Sequence, residues 1–309
     1  MNESLNKNFT REEVATALKQ MHPTKAPGLD GMSAIFYQKY WNIVGCSITN
    51  MVLNVLNGNM SMASLNRTNI ALIPKINNPK KMADFRPISL CNVVYKLISK
   101  TIANRFKALL PHIISENQSA FTSNRLITDN VLVAFELMYF LNHKNAGKEG
   151  YMAAKLDMSK AFDRVEWCFI KAVMEKLGFS SKWVDLVMRC ITSVSYSVLI
   201  NSAACGNITP SRGFRQADPL SPTLFLICTE GLSALIHEGA RNHRWTGISI
   251  CRGSPRVTHL LFVDDSILFC KASVEECRVL KQILQNYEEA SGQKINTEKS
   301  SIFFSPNTS

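Results

Sequence analysis

A short segment near the C-terminus, His259–Cys270 (HLLFVDDSILFC), most constrains what this chain can fold into. Two apolar runs meet there at a pair of adjacent carboxylates, Asp264 and Asp265. The pattern predicts a buried β-hairpin whose tip holds two negative charges. Because an unpaired buried carboxylate is costly, such a pair needs either a cation or a solvated turn.

A third acid, Asp157, ends another apolar run, Tyr151–Leu156, about a hundred residues earlier. Three carboxylates at the ends of neighbouring strands are what a two-Mg²⁺ phosphoryl-transfer site requires. The backbone carbonyl of Met158 could ligate the same cation as Asp157. An Asp at a strand end also serves as a helix cap or turn residue, and an Asp-Asp pair also occurs in solvated turns. The apolar flanks on both sides of the pair favour the metal site.

The composition indicates a globular chain with a polyanionic partner. Of its 309 residues, 46% are hydrophobic and 19% charged, so a large core is expected and disorder is not. The formal net charge of +11 favours nucleic acid as a partner, although the same surplus also serves solubility.

Several other classes of protein are disfavoured. The nine cysteines are scattered and never spaced CxxC, which predicts reduced core residues in an intracellular protein, in either the nucleus or the cytoplasm, and neither a disulfide framework nor a zinc site. The N-terminus is too polar for a signal peptide. The longest apolar run, Val131–Leu141, is too short to span a bilayer, so no membrane partner is expected.

The order of predicted elements indicates an α+β fold. Thr10 and Glu13 form a capping box before a helix, and Asn69–Pro74 is a predicted strand followed by a basic loop. From Tyr151 onward, and without one inserted segment, the order is β-α-α-β-β-α-β. This predicts a sheet with helices on one face and the carboxylates on the open side.

Two further segments carry polar groups in suggestive places. In Arg212–Ile227 (RGFRQADPLSPTLFLI), Asp218 is expected to cap a long helix with Pro219 at its first position. Arg215 and Gln216 are then expected to be exposed and able to contact a nucleotide or template base. The basic loop holds Lys75, Lys80, Lys81 and Arg86, which suit a triphosphate but also a solvated sheet edge.

Taken together, the motifs resemble the reverse transcriptase of plant LINE-type (non-LTR) retrotransposons. The resemblance extends from about residue 20 to 305 and rests on the order and spacing of short motifs. These are KAPGLDG (25–31), IPK (73–75), DFRPISL (84–90), ENQSAF (116–121), NRLITDN (124–130), LDMSKAFD (156–163), RGFRQADPLSP (212–222), FVDD (262–265), GQKIN (292–296) and EKS (298–300).

The resemblance implies an RNA-directed DNA polymerase with a fingers–palm fold and two Mg²⁺ ions, with Mn²⁺ as a possible substitute. The implied metal ligands are Asp157, Met158, Asp264 and Asp265, and the three acids are catalytic. Lys299 is implied as a further catalytic residue, beside the departing pyrophosphate. The expected partners are an RNA template, a DNA primer and dNTPs.

The remaining implied roles concern the nucleotide and the template. Phe162 matches the aromatic gate that excludes a 2′-OH and so favours dNTPs. Lys75 and Arg86 match residues that grip the triphosphate, Gln216 falls at a position lining the nucleotide pocket, and Arg125 looks like a template contact.

Three residues depart from the family pattern. Ala217 and Asn124 stand where glycine is expected. A methyl group at position 217 could crowd the nucleotide or forbid a positive φ, whereas asparagine tolerates such a backbone. Val263 replaces an alanine and is expected to be harmless.

The predicted domains are an N-terminal extension (1–65), fingers (66–150) and palm (151–309), with a fingers insertion at about 181–217. No thumb is expected within the chain, nor the endonuclease normally on the same polypeptide. One alternative is therefore a catalytically inactive retroelement relic that binds nucleic acid. The other is an RNA-synthesising palm polymerase, which Phe162 argues against.

Overall fold

The computed structural model describes residues 1–58 and 60–308, which form two compact units. Unit 1 consists of residues 1–58, 60–109 and 174–223. Unit 2 consists of residues 110–173 and 224–308 and contains all three acids that the sequence singles out. Residues 110–150, predicted as part of the fingers, thus group with the sheet that carries these acids.

The helices and strands have the following bounds. The helices are α1 (Asn2–Leu5), α2 (Arg11–Lys19), α3 (Ala34–Lys39), α4 (Trp41–Leu56), α5 (Val93–Ile113), α6 (Ile127–His143), α7 (Trp167–Lys176), α8 (Ser181–Thr192), α9 (Ser221–Arg241) and α10 (Val274–Ser291). The strands are β1 (Arg67–Pro74), β2 (Phe85–Cys91), β3 (Tyr151–Leu156), β4 (Ser195–Ile200), β5 (Ala203–Ile208), β6 (His259–Phe262), β7 (Asp265–Lys271) and β8 (Ser301–Phe304).

Unit 1 contains a sheet in the order β2-β1-β4-β5. β1 is antiparallel to β2 and parallel to β4, whereas β4 and β5 form an antiparallel hairpin. The sequence did not predict β2 or β5. β2 contains Pro87, which is tolerated because β2 is an edge strand, and the short strand β5 is exposed at the opposite edge.

Unit 2 contains an antiparallel sheet in the order β6-β7-β3-β8. The element order β3-α7-α9-β6-β7-α10-β8 confirms the predicted α+β core. The helices cover more than the single face that was expected. Leu137 and Leu141 of α6 pack with Ala153 and Phe269, whereas Cys277 of α10 contacts Met152, whose side chain lies on the opposite face of β3.

Local sequence signals explain several element boundaries. Thr10 and Glu13 form the predicted capping box of α2. Ser273 caps α10 by accepting a hydrogen bond from the Glu276 N–H, and Gly292 ends that helix in a left-handed conformation. The nine cysteines are free thiols, but the prediction that they are core residues is wrong for the five that are exposed: Cys46, Cys168, Cys205, Cys251 and Cys277. Within residues 1–58 and 60–308, no helix is both long and apolar enough to cross a membrane.

Candidate active site

β6 and β7 form the hairpin that carries the adjacent acids. Phe262 pairs with Asp265, so Val263 and Asp264 form a two-residue turn. Asp264 is exposed and Asp265 half-buried, so the predicted hairpin is confirmed and its tip is a solvated turn. Val263 adopts φ 64°, a conformation that favours glycine and strains a β-branched residue. This strain counts against the expectation that Val263 is harmless, which stays a prediction.

The register of the sheet brings Asp157 to the same end as this turn. β3 is antiparallel to β7, and its last residue, Leu156, pairs with Ser266. One step further along each strand, Asp157 lies level with Asp265. The hairpin places Asp264 next to it at the tip. The structure thus brings the three predicted catalytic acids to one end of one sheet.

The segment after α10 holds Asp157 in place. The backbone N–H of Asp157 donates to Ser300 Oγ at 3.1 Å, and its carbonyl accepts from the Asn296 N–H at 2.8 Å. The Ser159 N–H donates to the Lys294 carbonyl at 2.8 Å. These hydrogen bonds lie on either side of an antiparallel β-bridge between Met158 and Ile295. None of them uses the Met158 carbonyl. The sequence motif signalled this segment but not the positioning roles of Asn296 and Ser300.

The donor groups have the chemistry that a divalent cation requires. Carboxylate and carbonyl oxygens are the ligands that Mg²⁺ prefers, and the register places Asp157 beside Asp265. Within the part of the chain that the structure describes, however, no three His, Cys, Asp or Glu side chains converge closely enough to hold a metal ion. The residue types fit the cation, and the roles of Asp157, Met158, Asp264 and Asp265 as its ligands stay predictions.

Phe162 lies in the loop that follows Asp157. Its ring stacks on that of Phe225 in α9, with a centroid distance of 4.6 Å and an interplanar angle of 7°. Phe225 is buried, whereas Phe162 is half-exposed. The stack gives the predicted gate a rigid support on one side. Its role in excluding a 2′-OH stays a prediction.

Comparison with known proteins agrees with this geometry. Residues 73–308 match the family model described as "Reverse transcriptase (RNA-dependent DNA polymerase)", and this range includes β3, the β6–β7 turn and all three acids. The chain belongs to the reverse transcriptase family.

The curated relatives of this reverse transcriptase include proteins of non-LTR retrotransposons. The 149 kDa protein of transposon TX1 from Xenopus laevis is 30% identical over 301 residues, covering 97% of this chain and 22% of that protein. The Pol polyprotein of element R2DM from Drosophila melanogaster is 26% identical over 277 residues, covering 89% of this chain and 24% of that protein. The chain therefore spans about a quarter of the length of these relatives. The mitochondrial protein AtMg01250 of Arabidopsis thaliana is 53% identical over 68 residues, covering 22% of this chain and 56% of that protein.

The motifs ENQSAF and NRLITDN of this reverse transcriptase support the acid-bearing hairpin. Gln118 forms a parallel bridge with Leu261 of β6, and the Leu261 N–H donates to the Asn117 carbonyl at 2.9 Å. Asn130 is buried and donates to the carbonyls of Asn117, at 2.8 Å, and Leu261, at 3.3 Å. The sequence missed Asn117 and Asn130 because nothing in it shows which backbone groups they bind.

The guanidinium of Arg125 forms hydrogen bonds within its own chain. It donates to four backbone carbonyls, at distances of 2.5 to 3.2 Å, those of Pro111, Ile114, Ser115 and Gln118. These bonds give Arg125 a structural role in the segment beside β6. A template contact stays a prediction. Asn124, the neighbouring residue, adopts φ 62°, which agrees with the glycine expected there.

Arg215 supports the turn that holds Gln216 from its buried side. Arg215 is 5% exposed, so the expectation of an exposed Arg-Gln pair is wrong for this residue. It pairs with Asp218 at 2.7 Å, donates to Asn66 Oδ1 and the Tyr95 hydroxyl, and lies over the Tyr95 ring. Burial alone would lower the pKa of the guanidinium, but Tyr95 and then Asp218 raise it above its ordinary value.

Gln216 and Ala217 occupy the turn itself. Gln216 is half-exposed, and its carbonyl accepts from the Ser89 N–H of β2 at 3.2 Å. Ala217 has φ 75°, as the glycine of the family pattern implied. Asp218 accepts from the Leu220 N–H, and α9 begins at Ser221, so the prediction that Pro219 occupies the first helical position was wrong. The nucleotide contact of Gln216 stays a prediction.

The predicted triphosphate residues lie on the β1–β2 hairpin of unit 1. Arg86 pairs with Ile73 across the hairpin, and both Arg86 and Lys75 are exposed. Lys75 Nζ donates to the Ala83 carbonyl at 3.0 Å. Asp84 accepts the backbone N–H groups of Lys81 and Lys80, which hold the pKa of its carboxyl below the ordinary value. The loop is therefore ordered and presents its cations to solvent.

Lys299 lies in the segment that supports Asp157. Its side chain is exposed, and its backbone N–H donates to the Asn296 carbonyl at 3.2 Å. Its role at the pyrophosphate stays a prediction.

A buried histidine lies behind the hairpin. His259, the first residue of β6, contacts Ser233 through Nε2 and Thr258 through Nδ1, each at 2.9 Å. The ring of His237 lies 5.1 Å from it. Burial and then His237 lower the pKa of His259 to about 3, so this side chain is neutral at physiological pH.

Proposed function

We propose that this reverse transcriptase domain adds dNTPs to a primer 3′-OH on an RNA template. The observation that carries the proposal is the register of β3 and β7, which places Asp157 level with Asp265 and next to the Asp264 turn. Asp157, Asp264, Asp265 and the Met158 carbonyl would hold two Mg²⁺ ions, or Mn²⁺ in their place. When bound, such ions lower the pKa of an attacking hydroxyl and stabilise a departing pyrophosphate.

The side chains of the domain bind and orient the reactants. The exposed cations Lys75 and Arg86 would bind the triphosphate, and Gln216 would line the pocket for the nucleotide. Lys299 would neutralise charge on the pyrophosphate, and Arg125 would contact the template. These assignments follow from the family resemblance, and the exposure of Lys75, Arg86 and Lys299 supports them.

Phe162 would distinguish a deoxyribose from a ribose. Its ring cannot retreat freely because it stacks on the buried ring of Phe225. A ribose would bring its 2′-OH against this ring, so a dNTP is the preferred substrate. An RNA-synthesising polymerase would need more space at this position.

We further infer that the domain comes from a LINE-type retrotransposon of a plant and acts inside the cell, in the nucleus or the cytoplasm. The similarity to the TX1 and R2DM proteins supports the retrotransposon origin, and that to the Arabidopsis protein supports the plant origin. The free thiols support an intracellular site. The basic surplus supports a nucleic-acid partner.

A second candidate is a retroelement relic that binds nucleic acid without turnover. The left-handed backbone of Ala217 favours it, because an alanine in place of glycine strains the turn that holds Gln216. The strained Val263 beside Asp264 adds to this observation.

Primer extension separates the two candidates. The chain would be given an RNA template, an annealed DNA primer, Mg²⁺ and dNTPs, with template affinity measured in parallel. Asp157→Ala should abolish extension and leave template affinity unchanged, whereas the control Asp185→Ala on the exposed surface of α8 should leave both unchanged. Extension by Asp157→Ala at the unmodified rate would refute the proposed site. Template binding by every variant with extension by none would favour the relic.

A further inference from the structure

Gln293 is a buried amide whose two polar atoms are both used. It is 1% exposed. Its Nε2 donates to the Ala161 carbonyl at 3.1 Å, and its Oε1 accepts from the Tyr287 hydroxyl at 2.5 Å. Because buried polar groups are costly to leave unpaired, this arrangement fixes the orientation of the amide.

The Ala161 carbonyl belongs to the peptide that leads into Phe162. Holding its oxygen fixes the plane of that peptide and therefore the direction from which the Phe162 backbone starts. The ring of Phe162 is held separately by its stack on Phe225. Gln293 thus constrains the backbone of the gate, and Phe225 constrains its ring.

The support for Gln293 is itself rigid. Tyr287 is buried in α10, and Ser291 Oγ donates to its carbonyl at 2.6 Å. The Gln293 N–H donates to Ser291 Oγ at 3.2 Å. The Glu166 N–H, at the other end of the Phe162 loop, donates to the Ser291 carbonyl at 2.9 Å. The loop is therefore fastened to the end of α10 at two points.

We propose that Gln293 is a positioning residue that sets the preference for deoxyribonucleotides over ribonucleotides. It acts by fixing the Ala161–Phe162 peptide and so the distance of the gate ring from C2′ of the incoming sugar. The inference rests on the proposed function, because it takes Phe162 as the residue that meets the sugar. A misplacement of about 1 Å at a reacting centre can change a rate by about a hundredfold, so a small displacement of the gate through Gln293 should have a measurable effect on selectivity.

Gln293→Glu is the sharpest variant because it keeps the shape of the side chain. The carboxylate can still accept a hydrogen bond from the Tyr287 hydroxyl. Toward the Ala161 carbonyl, however, it presents an oxygen acceptor in place of the amide N–H donor, and the two oxygens repel each other. Tyr287→Phe is the milder second variant, because it removes the hydroxyl that orients Gln293, which also contacts the Cys228 carbonyl at 3.3 Å. Gln282→Glu is the matched control, since Gln282 is exposed on α10 and bonds only along its own helix.

The readout is the ratio of the dissociation constants for GTP and dGTP on a complex with a dideoxy-terminated primer, which measures sugar selection without turnover. Gln293→Glu should reduce this ratio by about tenfold, and Tyr287→Phe should reduce it by a smaller factor. The dissociation constant for dGTP should be nearly unchanged in both variants. Gln282→Glu should leave the ratio at its unmodified value. A Gln293→Glu variant that weakens GTP and dGTP binding equally, or changes neither, would overturn the inference.

Two further results keep the interpretation clear. Phe162→Val should reduce the ratio more than either variant. If it does not, the assignment of Phe162 as the gate in the proposed function fails. A reduced ratio in Gln293→Glu alone would then show that Gln293 affects sugar selection by another route, and this would overturn the inference. If Gln293→Glu does not fold, as judged by circular dichroism, Tyr287→Phe decides, and an unchanged ratio in that variant overturns the inference.

Discussion

Arg215 and Asp218 form an ion pair of 2.7 Å in which each side chain is only 3% exposed. The two residues flank the turn of Gln216 and Ala217, so the charges stabilise this turn from its buried side. A buried pair is stable only while both partners remain, because one charge alone has neither water nor counter-ion.

Breaking this pair should therefore unfold the protein more easily. Asp218→Asn keeps an acceptor for the Leu220 N–H but leaves the Arg215 charge uncompensated, and should lower the free energy of unfolding by about 3–5 kcal/mol. Urea denaturation measures this change. Lys271→Met is the control, because it removes an ion pair to the exposed Glu149 and should cost at most about 1 kcal/mol. Equal losses in both variants would contradict a special role for the buried pair.

Ala217→Gly should stabilise the chain. At φ 75° an alanine is strained, and glycine relieves the strain at a smaller cost in chain entropy, for a net gain of about 0.5–1 kcal/mol in the free energy of unfolding. Ala203→Gly, in the exposed edge strand β5, should instead lose a similar amount. Thermal unfolding of the two variants compares them directly, and a loss of stability in Ala217→Gly would show that the turn is not strained.

Gly292 should tolerate no side chain. It has φ 74°, and an added Cβ would lie 2.7 Å from the Arg164 carbonyl oxygen and from Glu166 Cγ. Gly253 has φ 87° and open space around it, so Gly253→Ala suffers the backbone strain alone. We expect Gly253→Ala to cost about 1 kcal/mol and Gly292→Ala about 2–4 kcal/mol in the free energy of unfolding. Equal losses of stability in the two variants would mean that the Phe162 loop shifts to accommodate the added Cβ at no cost.

Acid should destabilise unit 2 through His259. The pKa of this side chain is about 3 in the folded chain, against the ordinary value of 6.5, so the unfolded chain binds a proton first as the pH falls. The histidine's contribution to stability is complete above pH 6.5 and decreases from there toward pH 3, by up to about 1.4 kcal/mol per pH unit.

Urea titrations between pH 7 and 4 test this prediction. His259→Gln should lose stability at all pH values but show a shallower decline with acid than the unmodified chain. Parallel declines in the two proteins would show that His259 does not titrate in this range.

Much of the fold could be predicted because local signals and tertiary packing agree. The apolar runs of β3, β6 and β7 and the cap of α10 all matched the structure. β2 and β5 could not be predicted, because neighbouring strands rather than local propensity stabilise these edges.

The residues of the candidate site likewise divide into those that could be predicted from the sequence and those that could not. The acids Asp157, Asp264 and Asp265 could be found because they border apolar runs, where a buried carboxylate without a partner is costly. Arg215 was misjudged because its partners Asn66 and Tyr95 are far away in sequence. Gln293, Asn130 and Ser300 were missed as positioning residues for a related reason, since their function depends on which distant backbone groups they meet.

The catalytic role of the acids at the β6–β7 turn is tested by dNTP incorporation on an RNA template by the unmodified chain and by Asp264→Asn, with Mg²⁺ present. Asp264 is exposed at the turn tip, so the variant should fold normally. We expect incorporation by the unmodified chain and a loss of at least about a thousandfold in the variant, with equal template affinity. Incorporation by Asp264→Asn at the unmodified rate would show that Asp264 is not a catalytic residue.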